Sequence, residues 1–168
     1  MGYGMSMRVL QGLEIMVDCL SRPHREERIF RNLPPAAVQH LVAITSGSSY
    51  PNGVILFGEG QSPRGVFIVR TGHVQLSMSG ADGKTLISRI SDAGEVLGLA
   101  ETVSGKPYNA TAEVLEPAQA DFIGRTDFLN FLRAHSEASL RVAEQLSEDY
   151  RFLVLVIARA CDADHKRA

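Results

Sequence analysis

Cysteine is scarce. The two thiols, Cys19 and Cys161, cannot build a disulfide framework or supply the full set of thiolates an iron–sulfur cluster takes, and so small a number fits a reducing cytosol. Histidine is scattered: positions 24, 40, 73, 135 and 165 give no His-x-His or His-x-x-x-His pair, so a strand- or helix-borne metal site lacks its usual spacing. Long apolar runs are missing, and none approaches the ~18 residues needed to span a bilayer. Glu14 and Asp18 interrupt the N-terminal apolar stretch where a secretory leader would have its core. A surplus of one charge is missing too. With 17 basic and 19 acidic residues the net charge is −2, which gives no bulk attraction for nucleic acid.

What is present is an ordinary soluble composition: 168 residues, 45% apolar and 21% charged, long enough for one domain plus an appendage. The chain is organised around Gly94 to Ala112. That stretch reads as a short strand, a bend at Gly98, one helical turn from Leu99 to Val103, a Ser104-Gly105-Lys106-Pro107 loop and a second strand from Tyr108. A glycine before a helical turn lets backbone N–H groups come close to a ligand, and the first N–H groups of a helix suit an anion.

Ahead of it, Arg8 to Leu20 has one apolar face and reads as a helix ended by Pro23. Ala36 to Thr45 reads as a second helix with Val38, Leu41 and Val42 inward. From Ser46 the period changes. Runs at Val54–Phe57, Gly65–Arg70, His73–Ser79, Thr85–Ile90 and Ala118–Ile123 alternate with Gly, Pro, Asn and Asp turns. About eight strands at roughly ten-residue spacing imply an antiparallel sandwich, barrel or roll. Val74, Leu76 and Met78 alternate with polar residues, so that strand has one buried face. Thr126 or Asp127 can cap a helix running to Ala134. Glu137 to about Ala160 is a long helix. Within it Ala143, Leu146, Tyr150, Leu153, Ile157 and Ala160 fall at coiled-coil spacing and form a candidate dimer seam. Val154, Leu155 and Val156 widen the apolar face, leaving room for the roll on one side and a partner on the other.

In this order and spacing, Phe57-Gly-Glu-Gly60, Gly65-Val-Phe-Ile-Val-Arg-Thr-Gly72, Asp82-Gly83-Lys84, Asp92-Ala-Gly94-Glu-Val-Leu-Gly98 and Arg125-Thr-Asp-Phe128 resemble the cyclic-nucleotide-binding domain. The resemblance is greatest to the sensor half of Crp/Fnr bacterial transcription regulators. It implies a mainly β fold with flanking helices: a helical segment at 1–28, an antiparallel double-stranded, jelly-roll-like β-roll at 29–135, a dimerisation helix at 136–161 and a tail at 162–168. It also implies a ligand cassette at Gly98, Leu99, Ala100, Tyr108, Asn109 and Ala110. In nucleotide-binding relatives a Glu follows the cassette glycine and reaches the ribose, and an Arg about ten residues on pairs with the cyclic phosphate. Here Leu99 and Tyr108-Asn109 stand in those places, while Leu153 and Val154 replace hydroxyl groups that reach the base. A guanidinium presents a fixed, charged fork to phosphate oxygens, and its loss costs on the order of a hundredfold in affinity.

The expectation is therefore a non-enzymatic, cytoplasmic effector-sensing and dimerisation domain. It is a homodimer through its C-terminal helix, takes an unspecified small-molecule effector with cyclic-nucleotide binding lost or altered, and has no metal and no membrane contact. DNA would be read only through a helix-turn-helix domain that the sequence, ending soon after the long helix, does not contain. That leaves a truncated regulator or a stand-alone effector domain. A stand-alone cyclic-nucleotide module acting through protein contacts is the alternative, and a cupin-like enzyme the distant one. His73 reads as a surface or hydrogen-bonded histidine rather than a haem ligand. Tyr108 and Asn109 are the polar residues placed to meet a non-nucleotide effector or to fill a dead pocket.

Overall fold

A computed structural model describes residues 29–30 and 32–167; the helix read at Arg8 to Leu20 lies outside them. The described chain runs α1 (Pro35–Ala43), β1 (Thr45–Tyr50), β2 (Ile55–Phe57), β3 (Gly65–Thr71), β4 (Val74–Ser79), β5 (Thr85–Ser91), β6 (Val96–Leu97), α2 (Leu99–Ser104), β7 (Thr111–Val114), β8 (Ala118–Gly124), α3 (Arg125–Ala134) and α4 (Ser136–Arg167). Two four-stranded antiparallel sheets, β1-β8-β3-β6 and β2-β7-β4-β5, face each other as the two sides of a roll.

The continuous run Val66-Phe-Ile-Val69 in β3 is explained by burial on both faces. Phe67 and Val69 point into the roll, against Phe57, Leu76, Leu97 and Tyr108. Val66 and Ile68 point outward, into a second core with Leu99, Ile123, Phe128 and Val142. A third cluster, Leu33, Ala37, Phe131 and Ala138, joins α1 to the α3–α4 elbow. At that elbow His135 leaves helical geometry (φ −130°, ψ 97°), and its Nε2 lies 3.0 Å from His40 Nδ1.

Gly65 opens β3 because nothing larger fits. A Cβ there would lie 2.1 Å from the Ile123 carbonyl oxygen and 2.8 Å from the Phe122 ring. Gly65→Ala must push β3 away from β8 and is expected to destabilise the fold by about 3 kcal/mol, the upper end of overpacking costs. A thermal melt should fall by about 6–12 °C.

Four local expectations are corrected. In α1 Ala37 is the buried residue and Leu41 is half-buried, while Val38 and Val42 are 42% and 69% exposed; the short helix turns a narrower face to the elbow than its apolar content suggests. Met78 is 40% exposed, because β4 shifts register against β5 between Leu76 and Ser77 and its end leaves the inner face. The tail read from 162 continues α4 to Arg167, since Cys161-Asp-Ala-Asp-His-Lys-Arg contains no helix breaker. Val154 and Leu155 are 46% and 56% exposed and belong to none of the three core clusters. The roll is met instead by Val142 and Leu146, nearer the helix start, while Ala138 packs in the cluster that joins α1 to the elbow. No described helix is long and apolar enough to cross a membrane.

Candidate functional site

The candidate site is the strand–turn–helix passage from β6 through α2 to β7. Gly98 precedes α2 in left-handed geometry (φ 75°), and Gly105 ends it in the same geometry (φ 76°). This is the pairing of positions where glycine avoids the strain of a Cβ. At Gly98 a Cβ would also lie 2.8 Å from Tyr108 Cε1. Arg125 braces the far end of the turn: its Nε donates to the Thr102 carbonyl at 3.0 Å.

The six cassette residues divide by environment. Leu99 is 4% exposed and belongs to the outer core with Val66, Ile123, Phe128 and Val142. Tyr108 is 2% exposed and belongs to the roll interior. Its ring stacks on Phe57 with centroids 4.0 Å apart and planes 17° off parallel. Its hydroxyl donates to the Gly65 carbonyl at 2.7 Å. It accepts from the Arg64 N–H at 3.1 Å and the Gly65 N–H at 3.2 Å. Ala110 packs half-buried against the same interior. Ala100 and Asn109 are exposed, and the Asn109 N–H donates to Glu101 Oε1 at 3.3 Å. The expected strand from Tyr108 starts three positions later, at Thr111, because Tyr108 is pinned to the β2–β3 loop instead. Its N–H reaches the Gln61 carbonyl at 2.9 Å, and its carbonyl takes the Gly60 N–H at 2.9 Å.

A cyclic phosphate asks for a charged fork and a ribose for a carboxylate. Leu99 and Tyr108 offer neither, and both are committed to packed cores on opposite sides of the sheet formed by β1, β8, β3 and β6. The residues at these two positions do not fit that ligand. Sequence reasoning missed Phe57, Arg64 and Gly65 as Tyr108's partners. The only signal was Gly65 at the head of an apolar run, where a strand has no obvious need of glycine.

Charged ties lie elsewhere. Arg70 pairs with Asp121, and Arg89 Nη1 lies 3.4 Å from Glu95 Oε2. His73 sits between two carboxylates, with Nε2 2.8 Å from Asp92 Oδ1 and Nδ1 against Glu116. That tie links the turns at one end of the roll. Among the described residues no group of three or more His, Cys, Asp or Glu is arranged to hold a metal ion.

Of the seam residues, Tyr150, Leu153 and Ile157 are 68%, 54% and 54% exposed. Ala143 is exposed and Leu146 half-buried against the outer core. Ala160 lies within α4, its side chain outside the described set.

The architecture is thus a double-sheeted roll that carries a glycine-bounded helical turn between β6 and β7 and is left by a long helix. The chain belongs to the cyclic nucleotide-binding domain family, whose model matches residues 48–135. The fold is similar to the catabolite activator protein of Thermus thermophilus (TM-score 0.71, 21% identity), covering 79% of this chain and 62% of that one. It thus spans less than two thirds of that regulator's length. It is also similar to the sensor domain of the transcriptional regulator DNR from Pseudomonas aeruginosa (TM-score 0.65, 20% identity), covering 76% of this chain and 86% of that one. An uncharacterised protein of Haemophilus influenzae is 24% identical over 106 residues, 63% of this chain and 82% of that protein. The expected mainly β roll followed by a long C-terminal helix is the fold found.

Proposed function

We propose that this chain is the effector-sensing and dimerisation part of a Crp/Fnr-like transcription regulator, with cyclic-nucleotide recognition lost. The observation that carries the reading is the free face of α4. Tyr150, Leu153 and Ile157 stand more than half exposed in coiled-coil register on a helix whose neighbouring face already packs on the roll. Apolar side chains so aligned are stable only when covered, and a second copy of the same helix covers them with matching spacing. The regulators whose sensor domains share this fold support the assignment. DNA reading belongs, in this view, to a helix-turn-helix domain.

The output would pass from the roll through the α3–α4 elbow at His135 to the paired helices, as a shift between two arrangements of a bistable seam. Leu99 and Tyr108, turned into opposite cores, support the loss of nucleotide contacts. Light scattering tests the seam: a dimer mass at tens of micromolar is expected, and a monomer mass contradicts it.

A further inference from the structure

We propose that Tyr108 is a tethered ligand: the roll contains a phenol-recognising site beneath the cassette glycine, and the chain fills it with its own side chain. The inference rests on the reading that nucleotide binding is lost, and it names what took the ligand's place. A phenol hydroxyl has one proton to give and two lone pairs to receive. All three are used here, by the Gly65 carbonyl and by the N–H groups of Arg64 and Gly65. The aromatic ring lies flat on Phe57, and one edge passes Gly98, where a Cβ would stand only 2.8 Å from it.

Every hydrogen-bond partner is backbone, held at Gly65 by the pairing of β3 with β8 and at Arg64 by the Arg125 N–H, which donates to the Arg64 carbonyl at 2.8 Å. The recognition groups therefore belong to the roll and do not leave when the Tyr108 side chain is removed. Tyr108 also closes the β2–β3 loop through Gly60 and Gln61. The filled site thus holds together the start of β3, that loop and the cassette turn, the parts a diffusible ligand under Gly98 would join. A side chain that occupies the site permanently keeps this region in its occupied arrangement with no small molecule present. The ligand class of the emptied site is a para-alkyl phenol.

The test uses p-cresol, which is the tyrosine side chain with Cβ as its methyl group, with Tyr108→Gly, which removes that Cβ, and Tyr108→Phe in the full chain. Tyr108→Gly is expected to melt well below the native chain. p-Cresol at roughly millimolar concentration should raise that melting temperature with saturation, and calorimetry should show a single site. Toluene, which fills the same volume without a hydroxyl, should bind about tenfold more weakly because the Arg64 and Gly65 N–H groups stay unpaired. The native chain and Tyr108→Phe, whose site is full, should not respond.

Equal effects of toluene and p-cresol on Tyr108→Gly would reduce the site to an apolar cavity and overturn the proposal. So would no effect of p-cresol on a variant that melts cooperatively. If Tyr108→Gly does not fold, Tyr108→Phe decides: a melt several degrees below native is expected from the two orphaned N–H groups, and a native-like melt overturns the proposal. Saturable cAMP binding by the native chain would overturn the underlying reading instead. A silent cAMP titration with no p-cresol rescue overturns only the tethered ligand.

Discussion

Leu153→Asp is expected to convert the protein from a dimer to a monomer while leaving the roll intact. Leu153 is 54% exposed in the single chain, so an aspartate there meets water and costs the monomer almost nothing. In the proposed pair of helices the same position would face its counterpart in the seam. Each protomer would then bring an unpaired carboxylate into an apolar contact, at about 2–5 kcal/mol apiece. The dimer dissociation constant should rise by at least about a hundredfold. Light scattering at tens of micromolar should report half the native mass, and circular dichroism should show the roll unchanged. Leu146→Asp is the less clean version: Leu146 also packs on the outer core with Val142 and Phe128, so its loss mixes unfolding with dissociation. An unchanged mass for Leu153→Asp places the contact elsewhere and removes the seam.

Leu99→Glu, which restores the residue the resemblance expects after the cassette glycine, is expected to destabilise this protein. Leu99 is 4% exposed among Val66, Ile123, Phe128 and Val142, and the contacts among those residues contain no cation. A carboxylate placed there is either buried unpaired or forces α2 off the sheet, at about 3 kcal/mol or more. The melting temperature should drop by roughly 6–12 °C. Leu99→Met, close to isosteric, should cost under about 1.5 kcal/mol and separates charge burial from shape. A Leu99→Glu variant as stable as native would mean that position 99 can turn outward.

The parts of the fold legible in the sequence are those written by glycine and by apolar period. The turns at Gly72, Gly83 and Gly94 have φ of 83°, 79° and 90°, and each falls between runs that became strands. β1 was not legible: Thr-Ser-Gly-Ser-Ser-Tyr has no apolar alternation, and it is a strand only because β8 pairs with it from Thr45↔Ile123 to Tyr50↔Ala118. Tertiary pairing outweighs local preference there. The ends of β4 and α4 were misjudged because a register shift and the continuation of a helix depend on neighbours rather than on local period.

The candidate site was legible as a location and less so as chemistry. Gly98 and the α2 turn stand where the spacing put them. Tyr108, a polar name in a strand-like run, was legible only as a pocket residue facing an effector or filling dead space. Its inward direction follows from contacts some 45 residues away, at Gly65 and Phe57, and no local pattern encodes those contacts. Phe57 reads only as the end of a strand run and the start of a glycine turn motif.

The most direct test of the central claim is a calorimetric titration of the native chain with cAMP. No saturable heat is expected up to about millimolar nucleotide, because the ribose and phosphate positions that the resemblance implies carry Leu99 and Tyr108, both turned into cores. Saturable binding in the micromolar range would contradict it, and would return the protein to the alternative reading: a cyclic-nucleotide module that works without the arginine fork.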